Sequence, residues 1–244
     1  MEIETNSMGQ PIDAIVAGWT EPPWPSRDPM QGRFCRLEAL VPPLHADELF
    51  DSYQLDQHGL NWTYLPYGPF DSRDAFREWL EQNGTANDPL FFVIRNLSTG
   101  DVVGLASYLR ITPASGSIEV GHVNFSPKLQ RTPAATEAMY LMMERAFTIG
   151  YRRYEWKCHA MNAPSRAAAK RLGFTYEGVF RQHTVMKGRN RDSAWYAAID
   201  GEWPDIQRAF LTWLSPENFD DAGQQRIRLS TLTAPIVQKA GSVR

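Results

Sequence analysis

The sequence predicts an α/β (α+β) fold: a central mixed, mostly antiparallel sheet of about seven strands with flanking helices. Three observations predict it. Short apolar stretches with period-two or continuous patterning recur between turn residues, helical-period stretches alternate with them, and two pairs of strands are joined by short turns.

Residues 1–32 contain Pro11, Pro22, Pro23, Pro25 and Pro29 with Trp19 and Trp24. Such a segment resists regular structure but has rings to anchor it, so a wrapped N-terminal arm is expected. A single domain follows over 33–214, with a polar, partly loose tail over 215–244. Arg33–Val41 alternates as a half-buried strand until Pro42 and Pro43 stop it. A helix over about Leu44–Tyr53 leads into an aromatic loop, His58–Phe70. A second helix is capped by Asp71 or Ser72 and carries an apolar stripe of Phe76, Trp79 and Leu80. Leu90–Asn96 and Asp101–Ile111 form a hairpin across a turn with Gly100, and Ser117–Phe125 is the next strand. Ala135, Ala138, Met139, Met142, Ala146 and Phe147 then recur at helical spacing up to Gly150, with the methionines as core filler. Tyr154–Ala160 is a strand, Pro164–Leu172 a helix ended by Gly173, and Tyr176–Met186 and Ala194–Asp200 are strands flanking a Lys187–Arg191 turn. Trp203–Leu214 is a last amphipathic helix.

Composition narrows the function. A length of 244 residues suffices to bury a proper core, and a net charge of −3 with mixed signs gives no basic stripe for nucleic acid. Cys35 and Cys158 both fall in strands, which suits buried reduced thiols. The acidic start is unlike a signal peptide, and no stretch approaches the ~18 apolar residues of a membrane span, so a soluble cytoplasmic protein is expected.

The stretch from Glu119 to Phe174 carries the functional signal. Lys128–Thr136 sits between a strand and a helix, where first-turn amides point at whatever lies beyond the helix. Ala134 and Ala135 leave the backbone approachable, Thr132 and Thr136 offer hydroxyls and Arg131 a charge, which suits a pyrophosphate as well as a plain solvated helix start. Asn162 caps the later helix, Pro164 sits in its first turn, and Ser165 can face a cleft; Arg166, Lys170 and Arg171 can meet a phosphate or simply water. Glu119 is a charge between apolar strand neighbours, costly to bury unless it is used or paired in a salt bridge. Period-two geometry puts it on the face opposite His122 unless a bulge intervenes.

With these residues in view, the chain resembles the GNAT acetyltransferase superfamily, in particular its RimJ/RimL-like branch, over about Arg33–Asp200. Gln130-Arg131-Thr132-Pro133-Ala134-Ala135 stands where the family has Gln/Arg-x-x-Gly-x-Gly/Ala, and Asn162-x-x-Ser165 with Lys170-Arg171-Leu172-Gly173-Phe174 matches the branch. Both family glycines are replaced, and Pro133 has no N–H to donate. The resemblance implies the GNAT fold, with the sheet splayed between its fourth and fifth strands to admit acetyl-CoA, and no metal. It implies cofactor contacts from Val123, Asn124, Phe125, Gln130, Arg131, Thr132, Ala134, Ala135, Thr136, Asn162, Ser165, Arg166 and Lys170.

The implied chemistry is attack of an amine on a thioester without a covalent enzyme intermediate. Glu119 is the expected base, directly or through water, with His122 the second candidate, a strand amide the oxyanion donor and Ser165 the group at the leaving thiolate. Cys158 and His159 are adjacent in a strand and point to opposite faces, which excludes them as nucleophile and base. Trp62, Tyr64, Tyr67 and Phe70, with Glu119, are the expected acceptor contacts, although the rings also suit ordinary packing. The acceptor is an amine-bearing small molecule or a protein N-terminus; the rings favour an apolar group, and Asp71, Asp74 or Glu78 a cation. Monomer and homodimer both fit. The missing glycines favour an alternative, a catalytically silent acyl-CoA-binding or protein-interaction module of the same fold.

Overall fold

The computed structural model of the chain describes residues 4–241. A short ribbon, β1 (Glu4–Thr5) with β2 (Pro11–Ile12), opens the arm, and β3 (Met30–Gln31) already joins the main sheet. Then follow β4 (Cys35–Ala39), α1 (Pro42–Tyr53), α2 (Arg73–Asn83), β5 (Leu90–Asn96), β6 (Val102–Thr112), β7 (Ser117–Phe125), α3 (Pro133–Thr148), β8 (Arg153–His159), α4 (Ala163–Arg171), β9 (Thr175–Met186), β10 (Arg189–Ile199), α5 (Trp203–Leu214) and α6 (Leu229–Gly241). The main sheet has eight strands in the order β3-β4-β5-β6-β7-β8-β10-β9. β3 is the addition to the expected seven. Every neighbouring pair is antiparallel except β7 with β8, the only parallel one among the described residues.

β5 shows how the sequence builds two layers. It is apolar at every position from Leu90 to Ile94, and alternation sends Phe92 and Ile94 to one face, Phe91 and Val93 to the other, all essentially buried. On the first face Ala138, Met139, Met142, Met143 and Ala146 of α3 pack with Phe92, Tyr108, Ile118 and Val120. On the second, Ala46 and Leu49 of α1 and Phe76 and Leu80 of α2 pack with Phe91, Val93 and Leu105, together with Trp62 of the aromatic loop. Full burial of each large side chain contributes roughly 1.5–3 kcal/mol.

Three expectations change. The 215–244 tail contains α6, whose Leu229 is fully buried and whose Thr233 hydroxyl donates to the Arg171 carbonyl at 3.1 Å; an apolar stripe with Leu232 and Ile236 docks it on the core. β10 begins at Arg189 rather than Ala194, because Lys187 and Gly188 (φ 49° and 72°) make a two-residue turn that lets the hairpin pair almost to its tip. Glu119 and His122 do not lie on opposite faces. A bulge in β7, opposite Ala106 of β6, places His122 at φ 50° and brings its ring round onto Phe91, on the Glu119 face.

Where the arm passes into β4 the backbone is held by a carboxylate, in addition to the Arg145 bonds to the Asp28 and Pro29 carbonyls. Glu137 of α3, 4% exposed, accepts the amides of Arg33 (2.8 Å), Phe34 (2.6 Å) and Cys35 (2.9 Å). A Cβ at Gly32 would stand 2.3 Å from that carboxylate, so the close approach needs glycine. Glu137→Ala strands three backbone donors, one buried and two part-buried, and is expected to lower stability by about 2–3 kcal/mol in urea denaturation; a loss below about 1 kcal/mol would show that the tie is incidental.

Candidate active site

The site is the wedge that opens between β7 and β8. Their ladder runs from Ser117–Arg153 to Val120–Trp156 and stops there, so Gly121–Phe125 diverges from Lys157–His159. Lys157, 6% exposed, stitches the wedge at its root: its Nζ lies 3.0 Å from Glu119 Oε2 and 2.6 Å from Glu155 Oε2, over the Trp195 ring at 3.7 Å. Arg110 Nη1 donates to the same Glu119 Oε2 at 2.6 Å. Both cations therefore take one oxygen of Glu119, while Oε1 lies towards the Cα of Gly121, 3.6 Å from where a Cβ would be. Arg153 completes the chain by joining Glu155 to Glu177.

His122 shares a hydrogen bond through Nδ1 with the Tyr67 hydroxyl at 3.1 Å and stacks on that ring. Burial, reinforced by the charges of Arg110 and Arg191, brings its pKa down to about 4, so the imidazole is neutral near neutral pH. The Tyr67 hydroxyl is pushed well above its ordinary range by burial.

Across the wedge, Asn162 Oδ1 caps α4 by accepting the Ser165 amide at 3.1 Å. The Ser165 hydroxyl accepts the Trp156 indole N–H at 3.0 Å. Trp156 is the last residue of the β8 ladder to β7, so Ser165 is oriented by a side chain that stands where the pairing ends. With an oxygen lone pair engaged by the indole, the hydroxyl proton of Ser165 is directed at sulfur, being within hydrogen-bond reach of Cys158. Burial raises the thiol pKa of the neighbouring Cys158; both cysteines are buried and unpaired.

The α3 end is more closely spent than its sequence promises. Thr132 caps the helix by accepting the Ala135 amide at 3.2 Å and donates to the Leu129 carbonyl at 2.6 Å. Thr136 is 4% exposed and accepts from Arg171 at 3.1 Å, beneath the loop rather than at its surface. Gln130 Nε2 donates to Asn61 Oδ1 and the Phe125 carbonyl, both at 2.8 Å, and the Tyr53 hydroxyl holds the Asn124 carbonyl at 3.0 Å. Arg166 donates to the Tyr196 hydroxyl at 3.2 Å and the Ala160 carbonyl at 3.2 Å, while Lys170 is exposed. The turn before α3 is made by Arg131 at φ 61°. Three of the eight buried polar atoms without a partner among the described residues lie along this edge: both side-chain atoms of Asn124 and the Ser126 hydroxyl. Such atoms suit a polar ligand arm laid in the wedge.

The aromatic loop roofs the wedge. Asn61 donates to the Phe125 carbonyl at 2.9 Å, Tyr64 to Met161 at 3.4 Å, and Lys187 of the β9–β10 turn to the carbonyls of Trp62 (2.8 Å) and Gly68 (2.6 Å). Tyr64 stands over His159 and Tyr67 over His122, on the cleft side. Trp62, 6% exposed, and Phe70 pack instead onto Tyr53 and Phe76. Two depressions flank this roof, one of about 310 Å³ lined by Trp62, Phe70 and α1 residues, the other of about 720 Å³ lined by Phe180, Arg181, Gln182, His183, Asn190 and Asp192; neither is lined by Glu119 or Ser165. Asp74 pairs with Arg77 and Glu78 with Gln82 on the outer side of α2, away from the wedge. The residues that sequence reasoning missed are Arg110, Lys157, Trp156 and Asn61; the sequence places Arg191 only as the end of a Lys187–Arg191 turn flanking the acceptor. Lys157 alone carried a signal, a charge at an inward strand position.

No helix among the described residues is long and apolar enough to cross a membrane, and no cluster of three or more His, Cys, Asp and Glu suited to a metal occurs among them.

Residues 36–175 match the model of the acetyltransferase (GNAT) domain family. A crystal structure of a GCN5-related N-acetyltransferase from Brucella melitensis is 45% identical, covers 90% of this chain and 100% of its own, and superposes with a TM-score of 0.88. The uncharacterized N-acetyltransferase YnaD of Bacillus subtilis (strain 168) is 28% identical over 145 residues, 57% of this chain and 81% of YnaD. Mycobacterium smegmatis RimJ, in complex with CoA-disulfide, shares the fold at 23% identity and a TM-score of 0.63 over 79% of this chain and 96% of its own.

The depressed pKa of His122 has a signed consequence. Above 6.5 neither state takes up the proton; between 6.5 and about 4 the unfolded chain binds it and the native chain does not. Stability is thus expected to fall as pH drops through that window, by up to ~3 kcal/mol from this residue. His122→Asn, which tolerates the left-handed backbone, should flatten the slope in melts from pH 7 to 4; an unchanged slope refutes the assignment.

Proposed function

The chain belongs to the GNAT acetyltransferase family, and from that premise we propose that it moves an acetyl group from acetyl-CoA to a primary amine, on a small molecule or a protein N-terminus, by direct attack in a ternary complex. The observation that carries this is the wedge itself, where the β7–β8 ladder ends, with Glu119 held on β7 by Lys157 and Arg110 and Ser165 held at the start of α4 by Trp156 and Asn162.

Acetyl-CoA, when bound, supplies the thioester carbonyl and a leaving thiolate. Arg131 and Ala134 at the start of α3, with Asn124, Ser126, Asn162, Arg166 and Lys170 along the wedge, are the groups that would hold it. Ser165 donates its hydroxyl proton as a hydrogen bond at the leaving sulfur, and the indole donor behind it raises the polarity of that hydroxyl. A weakly basic thiolate, pKa about 8.5, asks for no stronger acid. Edge amides of Gly121–Phe125, left without a strand partner on the β8 side, are the oxyanion donors.

Glu119 serves as the base through Oε1, its other oxygen being held by two cations, and passes the proton outward by way of water. Lys157 and Arg110 fix that carboxylate in place. His122, neutral and tied to Tyr67, orients the acceptor side of the cleft. An α-amine with a pKa near ~8 needs only this modest help.

One observation favours the silent-module alternative. Pro133 offers no amide and Ala135 has given its own to Thr132, which thins the donors at the phosphate end. Calorimetric titration with acetyl-CoA, free coenzyme A and a dephosphorylated analogue separates the two: saturable micromolar binding supports the enzyme, and no binding up to millimolar supports the module. In the binding-competent protein, Ser165→Ala is expected to lower kcat about 10–100-fold and Glu119→Gln about 10²–10⁴-fold, with cofactor affinity retained. Unchanged turnover in both variants would remove these roles.

A further inference from the structure

The wall of the cleft formed by β10 carries a cation that the ion-pair chain does not use. Arg191, Ser193 and Trp195 alternate along one face of the strand, and Trp195 is the ring beneath Lys157, so this face continues directly from the Glu119 site. The half-buried Arg191 guanidinium has weak or neutral partners: Nε donates to the Ser193 hydroxyl at 3.2 Å and Nη1 lies 3.4 Å from the Met186 sulfur. It forms no ion pair among the described residues. The Ser193 hydroxyl, in turn, lies 2.9 Å from His183 Nδ1.

Charge accounting sharpens the point. Glu119 is shared by Arg110 and Lys157, and Glu155 by Lys157 and Arg153, which also takes Glu177. Asp88, the other carboxylate in electrostatic reach of His122, is exposed and spends its oxygens on the amides of Arg110 and Ile111. Three carboxylates thus meet three cations, and Arg191 is left over. Burial pushes its pKa down, with Arg110 adding to the shift and Glu119 opposing it. A desolvated guanidinium facing a hydroxyl and a thioether is an expensive arrangement unless an anion completes it. Its planar donors match a carboxylate or phosphate in two-pronged geometry.

We propose that the acceptor is an amine whose own molecule carries an anionic oxygen group, a carboxylate or a phosphate, and that Arg191, steadied by Ser193 and with the half-exposed Arg110 across the cleft, is the residue that selects it. This rests on the acetyltransferase reading and narrows its substrate class. A polycation such as a polyamine meets two cations here, Arg191 and Arg110, while Asp74 and Glu78 of α2 are engaged by Arg77 and Gln82.

The test uses the full chain with acetyl-CoA and matched acceptors differing only in the anion: amino acids against their amides, and ethanolamine phosphate against ethanolamine. A preference for the anionic member of on the order of tenfold to hundredfold in kcat/KM is expected, carried by KM. In Arg191→Gln that ratio should collapse towards one, and Arg191→Lys should retain part of it. The pair with the larger ratio names the anion as carboxylate or phosphate. Equal kcat/KM within both pairs, or a ratio untouched in Arg191→Gln, overturns the proposal while leaving the acetyltransferase reading standing. If the protein binds acetyl-CoA but turns over no amine, the acetyltransferase reading fails, and titration with N-acetylglycine against N-acetylglycinamide decides the subsite: selective binding of the acid, lost in Arg191→Gln, supports it, and no selectivity removes it.

Discussion

Lys157 sits where the molecule changes from sheet to cleft. The only parallel pairing among the described strands ends one residue before it, and its ammonium, nearly excluded from water, bridges Glu119 on β7 to Glu155 on its own strand. A charge in that position is tolerable only with both carboxylates and the Trp195 face around it. The wedge can open because its root is clamped by this bridge rather than by further ladder hydrogen bonds. The same bridge takes one oxygen of Glu119 and leaves the other towards Gly121, so the clamp at the root of the wedge also sets the carboxylate.

The remaining elements are arranged about that root. The bulge at His122 rotates the β7 edge out of register with β6 and brings imidazole and carboxylate to one face. The aromatic loop is held over the opening from three sides, by Asn61 on β7, Tyr64 on the start of α4 and Lys187 on the β9–β10 turn. Gly68 is required there because a Cβ would stand 2.5 Å from the Trp62 ring. The roof is therefore two-layered: Trp62 and Phe70 are core, and Tyr64 and Tyr67 face the cleft. On the opposite wall α3 and α4 bring their N-termini to the wedge, and Thr132 and Asn162 cap them by the same local device.

Much of this was legible because it is local. Ser72 and Asn162 as caps, the short apolar run of β5 and the methionine stripe of α3 all follow from patterns within a few residues, whereas Thr132, read as a hydroxyl for a ligand, turned out to cap α3. Glu119 stood out as a carboxylate among apolar neighbours, and a salt bridge was one of its two expected fates. Its partners were not visible, since Arg110 lies on the neighbouring strand and Lys157 comes 38 positions later in the chain, brought alongside by the β7–β8 pairing. Thr136 read as a surface hydroxyl because its helix start looked exposed; the docking of α4 and Arg171 against it reversed that. The tail looked loose because its apolar stripe is narrow, and only contact with α4 and α5 shows that Leu229 and Ile236 have a surface to cover.

What the sequence by itself determined is the order of elements, the capped helix starts on either side of the wedge, the reduced thiols and the candidates at positions 119 and 165, all governed by short-range sterics and hydrogen bonding. Tertiary structure alone decided which charges neutralise which. Arg191 reads in the sequence as one more basic residue in a turn; only strand pairing, which brings β10 against β8 beside a chain of three carboxylates already shared among Arg110, Lys157 and Arg153, leaves its guanidinium on a hydroxyl and a thioether. Coulomb energies depend on distance and on exclusion of water, and both are set by chain segments far apart in sequence.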